Sequence, residues 1–241
     1  MVKNGVILAG GTGSRMRPLS NIYSKQLLFL DGKAVIDYPI QTLVNLGVEN
    51  ITIILGSSFA GQIIDYCGDG SNYNVNLNYI YQQNADGISS AVNLCKRFLI
   101  QDDYFYTILG DNIYQNPIKL DKIPHGATIF LAQHKELYRF GVASIQDKQI
   151  VKIEEKPKVL NEQYQNYAIS GLYLFNNCFF DYFSKTKKSN RNEYEICDII
   201  NAYHRKGHLN YHIVDGEWAD AGTIDNLKYL NYMLYKRENN L

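Results

Sequence analysis

The first segment with an evident chemical use lies where a short apolar run meets a group of glycines. The run Val6–Ala9 leads into Gly10–Gly13, which contains three glycines, and Arg15 and Arg17 follow. Glycine allows backbone N–H groups to approach an anion closely, and arginine forms charge-assisted hydrogen bonds with phosphate oxygens. Lys25, in a polar segment shortly afterwards, could add a further positive charge. The pattern predicts a phosphate-binding loop at the end of a strand.

Two other glycine-containing phosphate motifs do not match this segment. The dinucleotide fingerprint G-x-G-x-x-G/A requires a small third residue, but Gly11 and Gly13 are followed there by Met16. The P-loop requires Gly-Lys-Ser/Thr after its second glycine, and the segment has no such sequence. The remaining alternative is a tight turn without a ligand, and the neighbouring cations favour phosphate binding over that alternative.

Two aspartates in similar positions are candidate ligands of a divalent cation. Asp111 follows the apolar run that ends in Gly110, and Asp220 lies in Trp218–Thr223, just before a predicted helix. Ligands of open α/β sheets bind at the carboxyl ends of strands. Mg²⁺ prefers one or two carboxylates together with phosphate oxygens. We therefore predict that Asp111 and Asp220 bind Mg²⁺, the alternative being that each only caps a turn.

A third charged pair ends a strand-like segment, Lys152–Pro157. Glu155 could accept hydrogen bonds from sugar hydroxyls, and Lys156 could bind a phosphate group. The alternative is an ordinary strand edge, which lysine and proline often protect.

Three histidines spaced by four residues, His204, His208 and His212, would align on a continuous helix. Gly207 interrupts that helix, and Leu209–Val214 has the composition of a strand. The three imidazoles are therefore expected to diverge, which argues against a zinc site.

The elements that must position these groups follow an alternating pattern. Strands are predicted at 6–9, 51–55, 77–81 and 104–109, with helices at 35–46, 58–66 and 88–99 between them. Strand–helix–strand alternation implies a mostly parallel sheet with helices on both faces. Further strands are predicted at 127–133, 141–145, 149–155 and 168–175, and further helices at 194–206 and 224–237. The expected fold class is α/β, a Rossmann-like, mostly parallel mixed sheet flanked by helices, in a single domain covering 1–241.

Composition narrows the range of functions further. The 241 residues carry 24 Lys plus Arg against 24 Asp plus Glu, which argues against a dedicated nucleic-acid binder. No apolar stretch reaches the roughly 18 residues of a membrane span, and the N-terminal apolar run is shorter than that of a signal peptide. Four separated cysteines without a CxxC pair indicate buried small side chains in a reducing compartment. A cytoplasmic protein without membrane or nucleic-acid partners is expected.

Taken together, the motifs resemble the sugar nucleotidyltransferases, and most closely the glucose-1-phosphate thymidylyltransferases. The resemblance extends along nearly the whole chain. It is carried by GVILAGGTGSRMRPLS, SKQLL, Gln82 and Gly87 in YQQNADG, LGDN, the Phe140-Gly-Val triplet, IEEKP, YAISGLYLF and WADAGT. It implies a nucleotidyltransferase fold that transfers a thymidylyl group from dTTP to glucose 1-phosphate, releasing pyrophosphate with the help of Mg²⁺.

The resemblance also implies a role for individual residues. The catalytic cations would be Arg15 and Lys25 at the triphosphate and Lys156 at the sugar phosphate. The nucleotide would be bound by Leu8, Gly10, Gly11, Gly13, Gln82 and Gly87. The sugar would be bound by Leu109, Asn112, Gly141, Glu155 and Ile169. Asp111 and Asp220 would bind Mg²⁺.

Some positions depart from the family pattern. Family members commonly have proline at the positions of Phe29 and Ala34, glutamine at Ser90, and RGELE where Arg191–Glu195 reads RNEYE. The last two lie near the implied substrates, so another pyrimidine nucleotide, UTP or CTP, and another phosphorylated acceptor stay open. A binding protein without turnover would be expected to lack a cation or carboxylate that is present here. The resemblance further implies a homo-oligomer of the shorter type, without the C-terminal helical tail that carries an accessory regulatory site.

Overall fold

A computed structural model of the chain describes residues 2–56 and 58–238, with the side chains of 237 and 238 excepted. The strands are β1 Asn4–Ala9, β2 Phe29–Leu30, β3 Lys33–Ala34, β4 Asn50–Leu55, β5 Asn76–Tyr81, β6 Tyr104–Leu109, β7 Asn112–Tyr114, β8 Ala127–Ala132, β9 Gly141–Gln146, β10 Gln149–Glu155, β11 Gln165–Asn176, β12 Leu209–Ile213 and β13 Trp218–Asp220. The α-helices are α1 Asp37–Asn45, α2 Ala60–Cys67, α3 Ile88–Leu94, α4 Lys96–Leu99, α5 Cys178–Phe183, α6 Ile196–Arg205 and α7 Ile224–Glu238.

The first half of the chain forms the parallel part of the main sheet. Its strands lie in the order β6-β1-β4-β5, and each pair of neighbours is parallel. The five residues Ile51–Leu55 of β4 are all buried, as expected for a β-branched strand covered on both faces. Helices connect these strands, so the predicted βαβ crossovers are confirmed.

The second half extends the same sheet with mainly antiparallel strands. The long strand β11 pairs through its C-terminal half with β6 and through its N-terminal half with β9, which in turn pairs with β10. Its other edge pairs with β8, and β12 runs parallel to β8. One mixed sheet flanked by helices therefore joins both halves, and the predicted fold class is confirmed.

Buried apolar residues cover both faces of this sheet. One cluster includes Ile40 and Leu43 of α1, and a second includes Ile199, Ile200 and Tyr203 of α6. A smaller, third cluster lies under α7. Its buried members are Leu30, Val35, Ile113, Ala219, Ala221, Leu230, Met233 and Leu234. The third cluster fixes the chain on either side of Asp220.

The structure differs from the sequence-based elements in a few places. The helix predicted over 88–99 is divided at Cys95 into α3 and α4. The strands β2, β3, β7 and β13 and the helix α5 were not predicted, because segments of two to six residues are too short to show periodicity. His204 lies on α6 and His212 on β12, with Gly207 in the turn between these elements, so the predicted divergence of the histidines is confirmed.

Within the described residues, no helix combines the length and the apolar character needed to cross a membrane. The single domain over 1–241 stays a prediction.

Candidate active site

The carboxyl ends of the parallel strands meet around the glycine-rich loop. A methyl group added to Gly10 would lie 3.1 Å from Oε1 of Gln82 and 3.4 Å from the backbone nitrogen of Gly56. Gly13 has a φ of 63°, which glycine adopts without steric cost, and its carbonyl accepts a hydrogen bond from Oγ of Ser20 at 2.7 Å. The loop is therefore closely packed against the ends of β4 and β5, at the edge of the sheet where ligands of this fold class bind.

Lys25 and Asp111 form an ion pair at this edge. Nζ of Lys25 donates a hydrogen bond to Oδ2 of Asp111, and each side chain is only 13% exposed. Lys25 begins a short 3₁₀ turn in which Oγ of Ser24 accepts a hydrogen bond from the backbone nitrogen of Gln26 at 3.3 Å. Because the pair is largely shielded from water, the two charges neutralise each other effectively in the free protein. A ligand that binds one of these two groups breaks the ion pair, and the other group then needs a new partner to avoid being buried with an uncompensated charge.

Strands β7 and β13 bring Asp220 close to Asp111. Asn112 is directly opposite Asp220 in this ladder, and the backbone nitrogen of Ala221 donates to the carbonyl oxygen of Asp111 at 2.7 Å. Nδ2 of Asn112 donates to Oδ1 of Asp111 at 3.2 Å, and Nε1 of Trp218 donates to Oδ1 of Asn112 at 2.6 Å. The two aspartates are 9% and 7% exposed and lie on one wall of the site.

Two arginines approach the carboxylate of Asp220. Nη2 of Arg15 lies 3.8 Å from Oδ1, and Nη2 of Arg139 lies 3.5 Å from Oδ2. The Arg15 side chain is 60% exposed, whereas that of Arg139 is 18% exposed and is also held by Glu136 at 2.6 Å. Arg139 was not among the predicted site residues, although it stands directly before the Phe140-Gly-Val triplet.

A cavity of about 200 Å³ opens beside these charged groups. The predicted residues that line it are Arg15, Leu109, Asp111, Asn112, Gly141, Glu155, Lys156, Ile169 and Asp220. The residues in its lining that were not predicted are Ile88, Arg139, Phe140, Gly171, Tyr173, Ile196, Cys197 and Trp218. The structure thus brings together the residues implied for the sugar, the sugar phosphate and the metal. Lys25 and the residues implied for the nucleotide, Leu8, Gly10, Gly11, Gly13, Gln82 and Gly87, lie outside this cavity.

The carboxylate of Glu155 is bound on both oxygens. Oε1 accepts a hydrogen bond from Nη2 of Arg191 at 3.1 Å, and Oε2 accepts one from Sγ of Cys197 at 3.2 Å. Lys156 follows with a φ of 45°, and its Nζ lies 3.8 Å from Oε1 of Glu155. A left-handed backbone at a non-glycine residue costs on the order of 1–3 kcal/mol, and such residues often occur at functional sites. Cys197 is therefore more than the apolar filler that sequence reasoning expected, although three of the four cysteines are buried as predicted.

Gly171 marks the point where β11 changes partners. Its φ is 77°, and the pairing of β11 with β8 is irregular between Ile169 and Tyr173. A methyl group on Gly171 would lie 2.8 Å from Cδ1 of Leu109 and 2.9 Å from Nδ2 of Asn112. The bulge therefore lets the backbone approach two side chains of the cavity as closely as contact allows.

Gln82 is the one nucleotide candidate with an unpartnered side-chain group. Its backbone nitrogen donates to the carbonyl of Leu55 at 2.8 Å, but Nε2 is buried and has no hydrogen-bond partner within the described residues. A buried donor without a partner is unfavourable, so a ligand that accepted a hydrogen bond from it would be favoured. Gly87 lies at the start of α3, close against the backbone of Tyr194, and Ile88 beside it lines the cavity.

Burial keeps two ionisable groups of the cavity neutral. It raises the pKa of the Cys197 thiol well above its usual range, and the adjacent charge of Glu155 raises it further. Burial also raises the pKa of Tyr173 well above its usual range. Neither group is therefore a base or an anionic nucleophile near neutral pH.

The donors around Asp111 and Asp220 fit Mg²⁺ that arrives with a phosphate ligand. In the part of the chain that the structure describes, no three His, Cys, Asp or Glu side chains are grouped as metal ligands. A complete protein cage is therefore not provided, but Mg²⁺ needs only one or two carboxylates when phosphates and waters supply the rest. The two carboxylates that share one wall meet that requirement, and metal binding stays a prediction.

The chain matches known proteins over nearly its full length. The family profile described as Nucleotidyl transferase matches residues 4–237. The chain is 36% identical over 231 residues to the glucose-1-phosphate thymidylyltransferase of Mycolicibacterium smegmatis, covering 92% of this chain and 79% of that protein. It is 34% identical over 237 residues to the low-salt glycan biosynthesis nucleotidyltransferase Agl11 of Haloferax volcanii, covering 95% of this chain and 65% of that protein, so it spans less than two thirds of that relative's length.

A solved structure supports the same relationship. A Bacillus anthracis protein assigned as a glucose-1-phosphate thymidylyltransferase, crystallised with sucrose, superimposes with a TM-score of 0.89 and 36% identity. The match covers 97% of this chain and 95% of that one. Together with the matched family profile, it shows that the chain belongs to the nucleotidyl transferase family and is an enzyme of the nucleotidyltransferase class.

Proposed function

We propose that the protein transfers a thymidylyl group from dTTP to glucose 1-phosphate, giving dTDP-glucose and pyrophosphate. The observation that carries the proposal is the cavity in which Glu155 and Lys156 face the same space as Asp111, Asp220 and Arg15. The neighbouring Glu155 and Lys156 suit the two parts of a sugar phosphate, because a carboxylate accepts hydrogen bonds from hydroxyls and a lysine binds phosphate. The similarity to glucose-1-phosphate thymidylyltransferases supports this choice of substrates.

In the proposed reaction, a phosphate oxygen of the sugar phosphate attacks the α-phosphorus of the nucleotide. A new phosphorus–oxygen bond forms, and the bond to the leaving pyrophosphate breaks on the opposite side. The attacking oxygen is already anionic near pH 7, so no general base is needed. This agrees with the neutral state of Tyr173 and Cys197 in the cavity.

The main barrier is the repulsion between two polyanions that must approach in line. Lys156 would neutralise the sugar phosphate, while Arg15, Lys25 and the amides of the Gly10–Gly13 loop would stabilise the triphosphate. Removing one such group typically costs roughly 3–4 kcal/mol of transition-state stabilisation. Holding both substrates in line can contribute roughly 7–11 kcal/mol.

Asp111 and Asp220 would hold Mg²⁺, with Asn112 and the backbone of Ala221 fixing the position of Asp111. When bound, the ion supplies positive charge that offsets the charge on the phosphates. Lys25 and Arg139, which pair with these aspartates in the free protein, would then be released toward the anionic ligands.

Gln82 would read the pyrimidine base through its unpartnered amide. An amide can distinguish a pyrimidine edge from a purine edge, but thymine and uracil differ by one methyl group. A difference of that size gives only about 1–3 kcal/mol of discrimination. UTP is therefore expected as a weaker nucleotide substrate.

The proposal is tested by measuring pyrophosphate release over a matrix of nucleoside triphosphates and sugar 1-phosphates in the presence of Mg²⁺. The expected result is highest turnover with dTTP and glucose 1-phosphate, and less than a tenth of it with purine nucleotides. Higher turnover with UTP or CTP and another phosphorylated acceptor would instead support the alternative pyrimidine nucleotidyltransferase.

Two further expectations have tests of their own. Analytical ultracentrifugation of the same preparation tests the expected homo-oligomer, and fractionation of cells tests the expected cytoplasmic location.

A further inference from the structure

One side chain of the cavity makes a contact that the proposed reaction does not use. Cys197 lies in the first turn of α6, lines the cavity and is 3% exposed. Its Sγ is 3.2 Å from Oε2 of Glu155, a short distance for a hydrogen bond donated by a thiol. Because Arg191 binds the other oxygen at 3.1 Å, the carboxylate is held from two directions.

The contact between Cys197 and Glu155 lies directly against Gly141. Gly141 is directly opposite Glu155 in the ladder between β9 and β10. A methyl group on Gly141 would lie 2.8 Å from Sγ of Cys197, 3.3 Å from Cδ1 of Ile169 and 3.4 Å from Oε2 of Glu155. Four residues thus converge at one end of the cavity, and the absence of a side chain at Gly141 leaves the space in which the thiol meets the carboxylate.

The direction of the hydrogen bond is fixed by the protonation states. A carboxylate can only accept, and burial raises the pKa of the Cys197 thiol well above its usual range. The thiol therefore keeps its proton and donates it throughout the range in which the enzyme would operate. Each carboxylate oxygen has two acceptor directions, and each accepts one hydrogen bond from the described residues, which leaves one direction on each oxygen for a ligand.

We propose that Cys197 is a positioning residue for the acceptor sugar, and that its hydrogen bond fixes the Glu155 carboxylate with its free acceptor directions toward the sugar hydroxyls. This inference rests on the proposed function, because it assigns Glu155 to the sugar. The thiol itself touches no reacting atom in the proposed reaction. Its effect is on acceptor binding, transmitted through Glu155.

The kinetic test compares Cys197→Ala, which removes the donor, with Cys197→Ser, which keeps one. For Cys197→Ala we expect the KM for glucose 1-phosphate to rise about tenfold, the size of effect typical for a lost hydrogen bond to a charged group, with an unchanged KM for dTTP. Cys197→Ser should lie within about threefold of the wild type, because a hydroxyl also donates to a carboxylate. Cys95→Ala is the matched control, because Cys95 is fully buried and lies outside the cavity, so its loss should leave both KM values unchanged.

A second readout does not depend on turnover. The rate at which iodoacetamide labels Cys197 is measured by mass spectrometry against pH, with Cys95 in the same sample as the reference. Glu155→Gln removes the charge that raises the pKa of the thiol, so the labelling profile of Cys197 should move to lower pH while that of Cys95 stays in place. A wild-type enzyme without turnover on any substrate pair would overturn the proposed function, yet this shift would still establish the contact.

Three results would overturn the positioning role. The first is a wild-type KM for glucose 1-phosphate in Cys197→Ala. The second is a Cys197→Ser variant that is as impaired as Cys197→Ala, which would mean that packing rather than the hydrogen bond matters. The third is a labelling profile of Cys197 that Glu155→Gln does not move.

Discussion

The two sides of the candidate active site hold their charged groups in different ways. On the side of the glycine-rich loop, Asp111 pairs with Lys25, and Asp220 is approached by Arg139 and Arg15. In the proposed reaction these acids and bases bind different ligands, so each pair must separate. On the opposite side, Glu155 is held by Arg191 and Cys197, and these contacts can persist when a sugar is bound, while Lys156, at 3.8 Å, would turn to the sugar phosphate.

This difference suits the two substrates of the proposed reaction, which differ in charge. In the proposed reaction the loop side would bind the triphosphate, and internal ion pairs keep its unliganded charges from being buried alone, which would be costly. The sugar side would recognise neutral hydroxyls, for which a carboxylate already fixed in orientation loses less entropy on binding. We therefore expect the loop side to exchange partners and the sugar side to stay largely unchanged.

The largest effect should follow from a change in the Lys25–Asp111 pair. Asp111→Asn keeps the size of the side chain but removes the charge proposed to hold the metal and to balance Lys25. We expect turnover to fall by at least about a hundredfold, the size of effect seen when one charge-stabilising group is lost. The measurement is kcat from pyrophosphate release, with circular dichroism to verify that the variant is folded.

An exposed ion pair provides the control for this prediction. Lys228 and Asp225 lie on α7 with side chains 75% and 92% exposed, so Asp225→Asn should change turnover by less than about twofold. Near-normal turnover of a folded Asp111→Asn variant would contradict the role of Asp111 and remove the basis for an exchange of partners on the loop side.

The next largest effect concerns the preformed sugar side and uses Gly171→Ala. The new methyl group would be strained at a φ of 77° and would lie 2.8 Å from Leu109 and 2.9 Å from Asn112. We expect a loss of about 1–3 kcal/mol in the free energy of unfolding and a higher KM for glucose 1-phosphate, with the KM for dTTP changed far less. Chemical denaturation and steady-state kinetics give the two quantities.

Gly207→Ala is the control that shows the effect of backbone strain without a close contact. Gly207 has a similar φ of 70°, but apart from its two chain neighbours no described residue has an atom within 4 Å of the position of its added methyl group. It should therefore lose stability through backbone strain alone, without an effect on either KM. Equal changes in both KM values for Gly171→Ala would show that the sugar side is not an independent, preformed unit.

A smaller effect is expected from Gln82→Ala on the loop side. Since Nε2 of Gln82 has no partner among the described residues, its removal costs the fold no hydrogen bond, and the free energy of unfolding should not decrease. The KM for dTTP should rise about tenfold, the value of one or two hydrogen bonds to the base. Gln62→Ala is the contrasting control, because Gln62 bonds to the backbone of Ser24 and Ile22 and its loss should reduce stability. A Gln82→Ala variant with a normal KM for dTTP would exclude base recognition by this residue.

Much of the site could be predicted because its residues follow strand ends. The glycine-rich loop, Asp111 and Glu155 each come directly after or at the end of a strand that the sequence pattern predicts, and the topology of the sheet fixes where such ends lie. The main sheet could be predicted for the same reason, since its strands are long enough to show their composition. Asp220 was predicted from the motif around it, although its strand was not.

The remainder depends on contacts that the sequence pattern does not contain. Strands β7 and β13 have three residues each, too few for periodicity, yet their register places Asn112 opposite Asp220. Cys197 contacts Glu155 only because α6 begins beside the end of β10, and Gly171 contacts Leu109 only through the bulge in β11. Such tertiary contacts join segments far apart in the chain, and composition and spacing do not specify them.

The smallest expected effect concerns His134, which packs against two residues of the cavity lining. Its ring packs against Phe140 at 4.8 Å and Trp218 at 5.8 Å, and its Nδ1 accepts a hydrogen bond from the backbone nitrogen of Glu136 at 3.0 Å. Burial lowers the pKa of His134, and the nearby charge of Arg139 lowers it further. The folded protein therefore binds a proton at this position less readily than the unfolded chain does.

The sign of the pH effect follows from that lowered pKa. The stabilising contribution is complete above about pH 6.5, the ordinary pKa of histidine, and is lost as the pH falls from there through the lower folded value. Free energies of unfolding between pH 7.5 and 5 should therefore fall more steeply for the wild type than for His134→Gln, with parallel curves above about pH 7.5. Arg139 and Trp218 both adjoin the wall that carries Asp111 and Asp220 on the loop side. As the pH falls, the KM for dTTP should therefore rise at a higher pH than the KM for glucose 1-phosphate. Identical slopes in the two proteins would show that protonation of this residue is not coupled to folding, and a simultaneous rise of both KM values would show that the two sides respond to it as one.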